Sequence, residues 1–141
     1  MMILFLHADT LANLKIWQML EKTNGNMVLP FERKKCGEEE MKVVLGENNA
    51  LLNITKVIDP EKSQGEFLGI AKFSKKTVSY FKQKAEELFK EGNLNHYMES
   101  VVQSAIQNQE IGITVMDILD NQFVEVDFEE DYQKEKQLLG A

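Results

Sequence analysis

Asp9, Glu125 and Asp127 are the residues of this 141-residue chain whose types and spacing suit chemistry best. Asp9 closes the loop His7-Ala8-Asp9 that follows a continuous apolar run, Met2 to Leu6. In open α/β sheets, ligands gather beyond the carboxyl ends of the strands, so a carboxylate there is a candidate ligand. In Phe123-Val124-Glu125-Val126-Asp127, strand alternation puts both acids on one side and the valines toward the core. Two carboxylates on one side, near a third from another strand, suit a hard cation such as Mg²⁺. Plainer roles stand beside this one. A lone Asp at a strand end commonly serves a turn or an N-cap, and Asp127 could cap a following helix. Glu125 and Asp127 also run on into Glu129, Glu130 and Asp131, and a solvated acidic face is the ordinary meaning of such a run.

Other chemistries find little support. His7 has no second His or Cys at ligand spacing, which argues against zinc. Cys36 lies in a charged stretch, and nothing pairs it with His7 or His96 as a catalytic dyad. No GxxxxGK[ST] or GxGxxG phosphate loop is present.

The elements that must position these residues follow from periodicity. Met2 to Leu6 reads as a buried parallel strand. Leu11, Leu14, Ile16, Trp17 and Leu20 recur at helical spacing, so a helix runs to about Lys22 and ends at Thr23-Asn24-Gly25-Asn26. Met27 to Phe31 is a second strand, and the strand-helix-strand unit predicts a parallel pair with a right-handed crossover. Glu32 to Glu40 is a charged loop or solvated edge. Met41 to Leu45 and Ala50 to Thr55 form a hairpin around Gly46-Glu47-Asn48-Asn49. Asp59-Pro60 is a turn, and Gly65 to Ser74 is a strand. Val78, Phe81, Ala85, Leu88 and Phe89 mark one helix face; Tyr97, Val101, Val102, Ala105 and Ile106 mark another. Ile111 to Leu119 and Phe123 to Val126 are strands around Asp120-Asn121, and Phe128 to Leu139 is a closing polar helix. Strands alternating with helices give an α/β domain spanning residues 1–141.

The bulk properties narrow the class further. With 43% hydrophobic and 28% charged residues, the chain has an ordinary globular balance. Sixteen bases against 23 acids leave a net charge of −7, which argues against a nucleic-acid partner, since that needs a basic face. Nucleotide chemistry stays open, because a divalent metal can supply positive charge. No apolar run reaches the roughly 18 residues of a membrane helix. The single cysteine points to a reducing, cytoplasmic setting.

Several segments, taken in order, resemble the sugar-phosphate and phosphocholine-type nucleotidyltransferases. Met1 to Asp9 resembles the strand that ends in the family's metal-binding Asp, with Ala8-Asp9 where Gly-Asp is usual. Glu38 to Val43 resembles its EEMKV, and Asn53 to Lys56 its EISK. Gly65 to Ser74 is similar to GEFIGIAKFS, and Tyr97-Met98-Glu99 to YYED. Gln122 to Asp127 resembles WVEID, with Phe123 in place of Trp, and Glu130-Asp131 stands where PEDL is usual.

The resemblance implies a Rossmann-like, GT-A-related mixed sheet flanked by helices. It implies Mg²⁺ on Asp9 and Asp127 with Glu125 beside them, and an acceptor pocket lined by Glu66, Gly69 and Glu99. Lys42 and Lys56 become contacts to phosphate or acceptor. The implied partners are a nucleoside triphosphate, CTP favoured, and a phosphorylated small-molecule acceptor of phosphocholine, phosphonate or sugar type. Nothing in the sequence matches the family's Gly-rich nucleotide loop. The expectation is therefore a C-terminal, acceptor- and metal-binding portion, inactive alone, that self-associates or takes a complementing chain. A non-catalytic remnant or an assembly module is the alternative. Ile3 to Thr10 also resembles a short segment of GT-A glycosyltransferases, and a fragment of such an enzyme is a further alternative.

Overall fold

The computed structural model describes residues 2–6, 10–92, 97–121 and 123–125, with the backbone alone at 2–6, 10–11, 97–98 and 123–125. The strands are β1 (Met2–Leu6), β2 (Thr10–Ala12), β3 (Met27–Arg33), β4 (Lys42–Leu45), β5 (Leu51–Thr55), β6 (Gly65–Phe67), β7 (Ile70–Ser74), β8 (Ile113–Asp117) and β9 (Phe123–Glu125). The helices are α1 (Leu14–Lys22), α2 (Lys75–Lys90) and α3 (Tyr97–Asn108). The expected helix over 128–139 lies outside the described residues.

Seven strands form a mixed sheet in which β3 is central. On one side β3 runs parallel to β8, from Met27 opposite Ile113 to Phe31 opposite Asp117. On the other it runs antiparallel to β7 at Met27–Val28 and to β6 at Phe31–Arg33. Beyond β7 lies β1, and beyond β6 lie β4 and then β5. The burial of β3 alternates by face. Met27, Leu29 and Phe31 join a core with Val101, Val102 and Ala105 of α3 and Tyr80 and Phe81 of α2. Val28 joins a second core with Ile16 and Leu20 of α1. A strand covered on both faces needs apolar residues at every position, which explains the unbroken run Met27 to Phe31.

The expected single strand over 65–74 is two strands, and Pro30 accounts for the break. Proline has no N–H to give to a sheet ladder. Opposite it the facing strand bulges, so that Val28 pairs Lys72 while Phe31 already pairs Phe67. Gly69 turns there with φ of 80°, a conformation glycine adopts without steric cost. The Leu68 N–H donates to the Pro30 carbonyl at 3.4 Å, which holds the kink against β3.

The expected parallel neighbours β1 and β3 are not adjacent: β7 is inserted between them, antiparallel to both. Apolar runs declare burial but not partners, and the antiparallel 65–74 segment carries an equally apolar pattern. Helix α1 starts at Leu14, capped by the Asn13 side chain accepting from Lys15 N–H at 2.9 Å. The residues before it, expected as helix, instead form β2. Buried Lys72 of β7 closes the other end of α1, donating to the carbonyls of Glu21 and Thr23. Charge and hydrogen bonding there complement the helix C-terminus. The hairpin expected over 41–55 is present, joined by a 3-10 turn at Glu47–Asn49. The strands expected on either side of Asp120-Asn121 do not pair with each other, since β8 joins β3 and β9 joins β2.

Candidate functional site

A row of polar residues crosses the sheet where β3, β6, β4 and β5 meet. Glu32 stands opposite Glu66, Glu66 opposite Lys42, and Lys42 opposite Thr55. Directly opposed residues of antiparallel strands share a face. The adjoining residues Val43 and Ile54 point the other way, into the core. The polar row is nonetheless covered, with Lys42 at 0%, Thr55 at 5% and Glu66 at 8% exposure. The cover is the acidic segment 34–41, which holds buried Cys36.

Lys42 and Lys34 fasten that cover. The Lys42 ammonium donates to the carbonyls of Glu38 at 3.0 Å, Glu40 at 3.2 Å and Lys56 at 2.8 Å. An ammonium has three protons, so this set matches its full donor capacity. Lys34 Nζ lies 3.6 Å from Glu40 Oε1 and 3.7 Å from Glu66 Oε1. Burial works against its charge, but the summed attraction of Glu66, Glu32, Glu40 and Cys36 prevails and raises its pKa. Burial likewise opposes the Glu40 charge. The backbone N–H groups of Glu40 and Gly37, with Lys34, outweigh it and hold the carboxyl below its ordinary value. Gly37 N–H donates to Glu40 Oε2 at 2.9 Å. Neither Lys34 nor Glu40 stood out in the sequence, where the whole stretch read as a solvated charge run.

The residues expected to line an acceptor pocket divide between the two faces of the sheet: Glu66 and Lys42 lie on the face away from α3, and Glu99 is on α3. Glu66 and Lys42 are cross-strand partners, and Lys42 bonds the Lys56 carbonyl. Val57, the next residue, lines an open cleft of about 380 Å³ with Glu99, Ser100, Gln103, Ser104 and Gln107 of α3. Gly69 lies at the break that follows β6. The Lys56 side chain is exposed, whereas that of Lys42 is committed inside.

The metal candidates Asp9 and Asp127 lie outside the described residues, and Glu125 is described by its backbone alone. Among the described residues, no three His, Cys, Asp or Glu side chains converge as a metal site. The backbone beside the candidates is informative. β2 and β9 form a separate antiparallel pair in which Thr10 stands opposite Glu125, Leu11 opposite Val124 and Ala12 opposite Phe123.

Comparison with solved structures defines the class of fold as that of the nucleotidyltransferases. An inositol-1-phosphate CTP transferase from T. maritima superposes with a TM-score of 0.70 at 18% identity, over 99% of this chain and 55% of its own. A CTP:phosphocholine cytidylyltransferase from Streptococcus pneumoniae gives 0.68 at 17% identity, over 96% of this chain and 57% of its own. A Bacillus anthracis protein assigned as a glucose-1-phosphate thymidylyltransferase gives 0.65 at 15% identity, over 97% and 54%. The likeness is one of fold, and the chain spans little more than half the length of these proteins. No protein-family model and no curated protein matches the sequence. No described helix is long and apolar enough to cross a membrane.

Proposed function

We propose that this chain is the acceptor- and metal-binding portion of a nucleotidyltransferase. Completed by a portion that cradles the triphosphate, it transfers a nucleotidyl group from a nucleoside triphosphate, CTP favoured, to a phosphorylated small molecule of phosphocholine, phosphonate or sugar-phosphate type. The observation that carries this reading is the pairing of β2 with β9. Asp9 is the covalent neighbour of Thr10, and Asp127 follows Glu125 by two residues. With Thr10 opposite Glu125, the strand that begins next to Asp9 in sequence pairs with the strand that ends two residues before Asp127, although 117 residues separate the two acids. A solvated acidic tail has no need of that pairing.

In the reaction an acceptor phosphate or phosphonate oxygen forms a bond to the α-phosphorus. The bond from that phosphorus to the bridging oxygen breaks, and pyrophosphate leaves with the electron pair. Such a displacement depends on in-line positioning and charge neutralisation rather than on a covalent enzyme intermediate. Asp9 and Asp127, with Glu125 beside them, would hold Mg²⁺, whose contribution when bound is to neutralise phosphate charge. Carboxylate oxygens are the donors that cation prefers. Glu66, Gly69 and Glu99 shape the acceptor side, and exposed Lys56 supplies a cation for the acceptor phosphate. Lys42 acts at one remove, by holding segment 34–41 over Glu66. β1 and β5 stand at the two ends of the main strand path, and open strand edges favour pairing with another chain. Self-association or a complementing chain therefore belongs to the same proposal.

Titration calorimetry with phosphorylated acceptors, with and without Mg²⁺, tests the reading alongside a pyrophosphate-release assay with CTP, UTP and GTP. The chain should bind an acceptor, more tightly with Mg²⁺, and release no pyrophosphate alone. Turnover by the chain alone would mean that it holds a triphosphate site of its own. Failure to bind any acceptor would remove the acceptor-side assignment.

A further inference from the structure

The turn from β8 to β9 carries backbone strain together with the contacts that hold it. Leu119 has φ of 58°, a left-handed conformation that side chains other than Asn and Asp rarely adopt. Leu119 is 66% exposed, so hydrogen bonds rather than packing keep it there. Its N–H donates to Asp117 Oδ1 at 2.8 Å. Asp117 Oδ2 accepts from Arg33 Nε at 3.0 Å, and another nitrogen of the same guanidinium donates to Asn49 Oδ1 at 3.2 Å. The guanidinium also lies 5.4 Å from the centre of the Phe31 ring. Strained backbone persists where its surroundings over-determine it, and such places cluster at working sites.

The same turn is fastened to β3 and to α1. Ile118 is fully buried, and its N–H donates to the Phe31 carbonyl at 3.0 Å. Asn121 donates to the Ile118 carbonyl from its backbone N–H at 3.2 Å and from Nδ2 at 2.8 Å. Asn121 Nδ2 also lies 3.4 Å from Met19 Sδ of α1. β2 leads into α1 through the Asn13 cap, and β9 starts two residues after Asn121. One turn therefore ties together the approaches to β2 and β9, the pair in which Thr10 stands opposite Glu125.

We infer that Arg33 and Asp117 are positioning residues for the metal candidates: by holding the strained turn 118–121 they set β9, which carries Glu125, in register against β2. This rests on the nucleotidyl-transfer reading and adds to it two residues that act through the turn rather than on metal or substrate. The Arg33–Asp117 pair is partly exposed, at 48% and 28%, and such pairs add little to global stability. Its effect falls on the local geometry of the turn.

Amide exchange and Mn²⁺ titration, both followed by NMR on the full chain, test this. In Asp117→Ala, exchange at Thr10–Ala12 and Phe123–Glu125 should quicken roughly tenfold or more, the usual effect of losing a hydrogen bond to a charged group. Amides of Val101, Val102 and Ala105 in α3 should keep the parent's rates. Leu119→Asn added to Asp117→Ala should restore most of the lost protection, because Asn accepts a positive φ. The Mn²⁺ dissociation constant should rise severalfold in Asp117→Ala and also in Arg33→Met. Charge alone predicts the opposite for Arg33→Met, since removing one cation favours the binding of another. Unchanged or tighter Mn²⁺ binding in Arg33→Met would overturn the inference while leaving the transfer reading intact. So would exchange that quickens equally in α3, or no recovery in the double variant. A parent that binds no Mn²⁺ would remove the metal reading, and with it the role assigned to both residues.

Discussion

Lys42→Met removes an ammonium that is fully buried and donates to three backbone carbonyls. A hydrogen bond with a charged partner contributes about 1.5–3 kcal/mol, so three taken naively approach about 9 kcal/mol. Two effects reduce that figure. The variant no longer buries a charge, which recovers several kcal/mol of desolvation. The carbonyls released at exposed Glu38 and Lys56 can also take water. Methionine fills most of the lysine stem's volume, so a cavity adds little. The expected net loss is about 2–4 kcal/mol, a large part of a typical total of about 5–15 kcal/mol. Urea unfolding should show the midpoint fall by about 1–2 M at an unchanged slope. Amide exchange should quicken across residues 34–41 before the rest of the molecule loosens. Lys56→Met, at an exposed side chain, should change stability by less than about 0.5 kcal/mol. If Lys42→Met unfolds at the same urea concentration as the parent, the ammonium does not hold segment 34–41 in place.

Two further outcomes follow from neighbouring contacts. Glu40 titrates below its ordinary 4.5 and Lys34 above its ordinary 10.5. The stability from Glu40 is therefore present above pH 4.5 and lost as pH falls through its lowered folded value. That from Lys34 is present below pH 10.5 and lost as pH rises through its raised one. Denaturation of Lys34→Met and its parent across pH should show the largest gap between those limits, closing in acid; a gap that widens in acid would contradict the assignment. Gly65→Ala should destabilise by about 1–3 kcal/mol or more, because the added Cβ would meet the Glu32 carbonyl oxygen at 2.1 Å, a backbone atom of the central strand. Thermal melting checks this, and an unchanged melting temperature would mean that β3 and β6 are not so closely apposed.

The sequence revealed some elements more fully than others, for physical reasons. Met27 to Phe31 and Gly65 to Ser74 read as strands, and the fold buries Met27 to Phe31 between two cores. The α2 and α3 faces followed from 3.6-residue spacing, except that Phe89, expected on the apolar face of α2, is exposed. Strand neighbours were not legible, because an apolar run carries no record of its partner; the insertion of β7 between β1 and β3 has no local signature. The break at Leu68–Gly69 had one, since Pro30 stands in mid-strand and Gly69 faces that region, but only the register joins the two facts. β9 followed from the alternation in Phe123 to Asp127, whereas β2 is a three-residue strand too short to show alternation, and Leu11 completed a helical spacing by coincidence. At the candidate site, Lys34 and Glu40 read as part of one solvated charge run, and Lys42 as a contact to phosphate or acceptor. Burial turned Lys42 inward, and no periodicity predicts that a lysine will bond three carbonyls.

The measurement that bears most directly on the central claim is paramagnetic broadening by Mn²⁺ in the amide NMR spectrum of the full chain. Mn²⁺ accepts the oxygen donors that Mg²⁺ uses. A site shared by Asp9 and Asp127 predicts that sub-stoichiometric Mn²⁺ broadens amides of Thr10–Ala12 and Phe123–Glu125 together. It also predicts that excess Mg²⁺ reverses the effect and that Asp127→Asn abolishes it on both strands. Broadening confined to one strand, or spread over the acidic surface and unaltered in Asp127→Asn, would contradict the metal site and the nucleotidyl-transfer reading built on it.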